Sequence, residues 1–112
     1  MKYMLMICGD ESSLPGMAAE GDLPGCDGWT EEMIRRGVFI EGRGLRSTSD
    51  ATTVRVRAND VLITDGPFAE TKDQIGGYCL IDCVNVDEAI DVAAKHPVAA
   101  LGVIEIRPIL PS

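Results

Sequence analysis

The stretch Val61-Leu62-Ile63-Thr64-Asp65-Gly66-Pro67-Phe68-Ala69-Glu70-Thr71-Lys72-Asp73-Gln74-Ile75-Gly76-Gly77-Tyr78-Cys79-Leu80-Ile81 reads as strand, loop, strand. Val61 to Thr64 and Tyr78 to Ile81 are rich in β-branched and aromatic residues. Between them, Asp65-Gly66-Pro67 is a turn signal, and Gly76-Gly77 marks a bulge. A simple hairpin needs about two to five linking residues. The linker from Asp65 to Tyr78 is longer and polar, yet Pro67, Phe68 and Ile75 punctuate it. Such a linker is an ordered loop with something to hold, and function is first sought there.

Upstream, Thr52-Thr53-Val54-Arg55-Val56-Arg57 alternates strictly. The pattern predicts a half-buried strand with Val54 and Val56 facing away from Arg55 and Arg57. Ala58-Asn59-Asp60 is a tight turn into Val61 to Thr64, which completes a small hairpin. Downstream, the strand Gly77 to Val84 is apolar on both faces until Asp82. The first strand, Lys2 to Cys8, shares that property: Tyr3, Leu5 and Ile7 fill one face, and Met4, Met6 and Cys8 the other. Residues 9–28 are rich in Gly, Pro and acids and read as an irregular connection, with a helical turn at Met17 to Glu20. Trp29 to Arg36 reads as a helix capped by Thr30 and stopped by Gly37, its stripe formed by Trp29, Met33 and Ile34. Val38 to Gly42 is extended, with Gly42-Arg43-Gly44 interrupting it. Asn85 and Glu88 have capping-box spacing before a stripe of Val86, Ala89, Ile90 and Ala93, and Pro97 ends that helix. Val103 to Arg107 is the last strand.

This order is β-α-β, an accessory hairpin, then β-α-β: the split pattern of a ferredoxin-like α+β fold with an antiparallel sheet. Two helices cover only one sheet face, whereas the strands Lys2 to Cys8 and Gly77 to Ile81 are apolar on both. A second copy of the same sheet is the economical cover, so a homodimer is expected.

At 112 residues, with 46% hydrophobic and 25% charged residues, one soluble domain is expected. The net charge of −8 argues against nucleic acid and anionic membranes as partners. The apolar run Tyr3 to Cys8 is too short for a membrane span or signal core, which makes the cytoplasm the expected location. Cys8, Cys26, Cys79 and Cys83 contain no CxxC pair. In one strand, Cys79 and Cys83 would lie roughly 13 Å apart at about 3.3 Å per residue, beyond disulfide reach. Buried free thiols are expected, with no metal site.

The segment VLITDGPFAETKDQIGGYCLIDC closely resembles the DGPF signature of the YCII-related family. The resemblance extends to MKYMLMICGDE, TEEMIRRGVFIEGRGL, EAIDVAAKHP and GVIEIRPI, and so covers most of the chain over 1–112. It implies a dimeric α+β barrel and a small-molecule cleft between each sheet and its covering elements. Relatives in this superfamily include muconolactone-isomerase-like proteins and a dehydrochlorinase of a chlorinated hydroxyquinol. Genes of the DGPF branch often neighbour those of extracytoplasmic-function sigma factors. The enzyme-like branch resembles itself in pairing a histidine from the first helical region with an aspartate. Here no histidine lies between residues 10 and 37, so Asp65 alone carries over. The segment before Trp29 also looks shorter than in typical members, which implies a truncated first helix.

Besides a purely structural dimer, two roles for the protein follow. In one, Asp65 is a general base or acid for cofactor-free isomerase or lyase chemistry on an apolar or aromatic acid, with Gly66, Pro67, Phe68, Glu70 and Lys72 of the loop and Arg43 binding the ligand. In the other, the chain is a non-catalytic ligand-binding or regulatory module, and Asp65 is an Asx-type turn residue. Glu70 and Lys72 are read as ligand contacts or as an ion pair ordering the loop. Arg55 and Arg57 are solvated strand residues or a positive stripe. His96, before Pro97, is read as a helix-end residue bonding the last carbonyls.

Overall fold

A strand apolar on both faces belongs in the middle of a sheet, and that is where β1 (Lys2–Gly9) lies. The computed structural model describes residues 1–11 and 26–111. β1 is followed by α1 (Cys26–Arg35), β2 (Phe39–Gly44), a 3-10 turn (Thr48–Asp50), β3 (Thr52–Arg57) and β4 (Asp60–Asp65). Then come β5 (Gln74–Asp82), α2 (Val86–Ala94), a second 3-10 turn (Pro97–Ala100) and β6 (Val103–Pro108). The main sheet has the order β2-β5-β1-β6, antiparallel throughout, and β3 pairs only with β4. This is the expected ferredoxin-like α+β arrangement with its accessory hairpin. The connection expected over residues 9–28, its helical turn and the truncation before Trp29 fall, between residues 12 and 25, outside the described residues.

Pleating sends alternate side chains of each strand to opposite faces. Tyr3, Leu5 and Ile7 of β1 join Cys79 and Ile81 of β5 beneath the helices, with Ile104 and Ile106 of β6 packed alongside. From the helical layer come Trp29 and Met33 of α1, Ala89, Val92 and Ala93 of α2, and Val98. Trp29 donates its indole N–H to the Val92 carbonyl at 3.0 Å, which fastens the two helices together. Asp91 of α2 accepts from Lys95 at 2.6 Å and from Arg36 at 3.4 Å, and the lysine holds its carboxyl below the usual range.

Several local expectations shift. α1 begins at Cys26, so Thr30 lies inside it rather than capping it, and Ile34 is 58% exposed. Gly37 ends the helix region in the left-handed conformation, φ +75. In α2, Asn85 caps as expected by accepting from the Glu88 N–H at 3.0 Å, but the Glu88 carboxylate accepts from Val84 N–H instead of the cap's own. The buried stripe there is Ala89, Val92 and Ala93; Val86 and Ile90 face solvent. β2 runs on through Gly42-Arg43-Gly44, with its irregularity between Phe39 and Glu41. Glycine is needed at position 42, because a Cβ would sit 3.0 Å from Cys79 Sγ and 3.2 Å from the Tyr78 carbonyl oxygen.

The hairpin keeps the alternation of β3, but the covered face is not the valine one. Val54 and Val56 are 60% and 56% exposed, while Thr53 and Arg55 are the half-buried residues of β3. Alternation reports which residues share a face, not which face finds cover. The turn Ala58-Asn59 places both residues at positive φ, the geometry that matches strand twist in a two-residue hairpin loop.

Candidate functional site

β5 begins at Gln74, so the linker that seemed to run to Tyr78 is the shorter loop 66–73. The pairing register of β1 skips from Ile7↔Gly77 to Cys8↔Ile75, which leaves Gly76 as the extra residue of a bulge. Gly77 beside it lets β2 approach: a Cβ there would lie 3.0 Å from the Arg43 carbonyl oxygen.

The loop is fastened at both ends and laced across its middle. Gly66, at φ +97, donates its N–H to the Ala51 carbonyl at 2.7 Å, and its own carbonyl accepts from the Thr53 hydroxyl at 2.8 Å. The Gln74 amide donates to the carbonyls of Ala69 and Thr71, both at 3.0 Å, and the Thr71 hydroxyl donates to the Asp73 carbonyl at 2.7 Å. An amide side chain satisfies loop carbonyls that no ladder reaches, and ordering comes from there. Glu70 and Lys72 do not form the ion pair considered from the sequence. Both are exposed, and neither makes a hydrogen bond or salt bridge among the described residues.

Beside the loop lies an open cleft of about 300 Å³. One wall is Pro67, Glu70, Thr71, Lys72 and Gln74; the other is Asp10, Glu11 and Thr48. Glu11 binds the 3-10 turn, accepting from the Thr48 N–H at 2.8 Å, the Thr48 hydroxyl at 3.0 Å and the Ser47 hydroxyl at 3.4 Å. Its carboxylate is thereby committed to structure. The sequence reading missed Asp10, Glu11, Thr48, Thr71 and Gln74. Only the acidic pair directly after the first strand was a usable signal, since Thr48 is 37 residues from its partner Glu11.

The candidate residues thus divide. Pro67, Glu70 and Lys72 meet at the cleft, whereas Gly66 shapes the turn into it. Phe68 points away, 78% exposed. Arg43 lies opposite Tyr78 on the sheet face away from the helices, donating to the Gly42 carbonyl at 2.8 Å. Asp65 ends β4 exposed, outside the cleft, with its carboxylate unbonded among the described residues. It is neither the buried base nor the saturated turn carboxylate that the sequence offered as alternatives.

The remaining reactive groups are held quiet. Burial pushes the half-buried Cys8 thiol up, and burial with the Glu88 carboxylate pushes Cys83 up to about 11. His96 is buried, its ring centroid 4.8 Å from that of Trp29, and burial pulls its pKa down to about 4. Its Nδ1 accepts from the Val98 N–H at 3.1 Å, so it caps the second 3-10 turn rather than bonding the carbonyls of α2. Among the described residues, no group of three or more His, Cys, Asp or Glu is placed to hold a metal ion, and no helix is long and apolar enough to cross a membrane.

An antiparallel four-stranded sheet under two helices, with a hairpin and a laced loop inserted before β5, defines a ferredoxin-like α+β protein. The family model of the YCII-related domain matches residues 1–112, and the chain belongs to the YCII-related family. It is similar to an uncharacterized protein of Rhizobium meliloti (strain 1021), 33% identical over 114 residues that cover 97% of this chain and 92% of that one.

Proposed function

We propose that the chain is a homodimeric ligand-binding module whose loop 66–73 forms one wall of the binding cleft. The observation that carries this reading is the division of labour in the loop. Gln74 and Thr71 hold its shape, which leaves Glu70 and Lys72 unengaged at the cleft rim. Charged groups spared from structural bonds and set on a fixed frame are suited to recognising a ligand. With Asp10, Glu11 and Glu70 facing a single lysine, the cleft suits a small polar molecule carrying an amine, with or without a carboxylate for Lys72, better than an apolar acid. Binding is favoured over proton transfer because Asp65 is exposed and lies outside the cleft. Such a module fits the regulatory, sigma-factor-linked role better than the isomerase one. The thiols of Cys8 and Cys83, which form no disulfide among the described residues, support a cytoplasmic setting.

Homodimerisation is supported by the sheet face that no helix or strand covers among the described residues. Met4, Met6, Leu80 and Tyr78 lie there half-buried, with Val103 at its edge 51% exposed. A thermal-shift screen of amino acids, amines and polyamines tests the ligand reading. A binder should raise the unfolding midpoint of wild type and of Asp65→Asn alike, and lose at least about tenfold in affinity on Glu70→Gln or Lys72→Met. A compound bound by both Asp65 forms but turned over only by wild type would restore the catalytic reading.

A further inference from the structure

The β3–β4 hairpin shows an apolar face that nothing among the described residues covers. Val54 stands opposite Ile63 and Val56 opposite Val61, and these four residues are between 56% and 67% exposed. Among the described residues, no other strand or helix makes more than sparse contact with the hairpin. An isolated two-stranded hairpin is at best marginally stable in water, so a rectangle of β-branched side chains implies an occupant.

Two observations identify that occupant as a second copy of this chain. The first is charge. The six strands contain Lys2, Arg43, Arg55, Arg57 and Arg107 against Glu41, Asp60, Asp65, Asp82 and Glu105, and so are neutral as a set. The whole net charge of −8 therefore lies in the helices and connections. A copy carrying the same −8 is repelled least by the neutral strands, which favours approach by the sheet face and the hairpin. The second is area. Four strands about 4.8 Å apart and about six residues long give a face of roughly 400 Å², half of the roughly 800 Å² per partner in a stable interface. The hairpin adds roughly half as much again. We propose that the hairpin is an arm whose Val54-Val56-Val61-Ile63 face packs on the partner protomer, extending the contact that the sheet face begins; the inference rests on the homodimer reading.

Sedimentation velocity across a concentration series tests it with two variants. Val54→Thr/Val56→Thr/Val61→Thr/Ile63→Thr keeps the β-branching of the arm but removes its apolar surface. Leu80→Glu places a charge in the sheet face, and circular dichroism checks that each variant folds; Met6→Glu replaces Leu80→Glu if the latter does not. The expected result is a dimeric wild type, a monomeric sheet-face variant, and an arm variant whose dimer dissociates at least about tenfold more readily with an unchanged monomer unfolding midpoint. A wild type that is monomeric at about 100 μM overturns the dimer and the arm together. A wild type that dimerises while the arm variant associates equally well overturns the arm alone. So does an arm variant with a lowered unfolding midpoint at concentrations where wild type is monomeric, which would place the arm against its own protomer.

Discussion

Gly77 and Gly28 are the same residue under opposite constraints. At Gly77 a Cβ would meet the Arg43 carbonyl oxygen at 3.0 Å, an atom of a paired strand that cannot move without breaking the ladder. Gly77→Ala should lower the unfolding free energy by about 1–3 kcal/mol in urea titration. Gly28 lies in α1 with open space around it, so Gly28→Ala should raise stability, by up to about 1 kcal/mol. His96 sets the acid limit. Its folded pKa near 4 lies below the ordinary value of 6.5, so the unfolded chain binds the proton more tightly. The neutral ring's contribution is complete above about pH 6.5, is lost as pH falls towards 4, and changes no further below that. The loss is at most about 3 kcal/mol, at about 1.4 kcal/mol per pH unit. His96→Gln should flatten this part of the stability–pH curve measured by denaturant titration.

At the scale of elements, stability should track the caps and ties that hold each segment. Asn85→Ala removes the acceptor of the Glu88 N–H and should lower stability by about 0.5–2 kcal/mol, read from the thermal unfolding midpoint. That cap was legible because capping is local chemistry, written within four residues. The order of strands was legible too, because pattern and length identify each element and split βαβ units leave little topological freedom. The valines of β3 and the stripe of α2 were not. Alternation and helical period say which side chains travel together, while cover depends on neighbours far along the chain. The cleft was half legible for the same reason. Pro67, Glu70 and Lys72 belong to one contiguous motif, but the opposite wall comes from residues 10, 11 and 48, where Glu11 ties to Thr48 across 37 residues. Asp65 drew attention as a motif carboxylate, yet its place at the exposed end of β4 was not written in its neighbours.

For the whole molecule, the separation of charge makes ionic strength the informative variable. The proposed association through neutral strands would bring two chains of −8 together, and their mutual repulsion reaches about 30 Å at 0.01 M salt but only about 8 Å at 0.15 M. The dimer should therefore tighten as salt rises over that range, by light scattering; loosening would mean that direct ion pairs hold it. The sheet register also has a consequence in time. β1 precedes both of its partners by a long stretch of chain: Lys2 pairs with Asp82 and Tyr3 with Pro108, so each ladder waits for residues made much later. At about 5–20 residues per second, a segment apolar on both faces waits several seconds on the ribosome for them. A segment apolar on both faces and unpaired for that long is the part of this chain that a chaperone would hold.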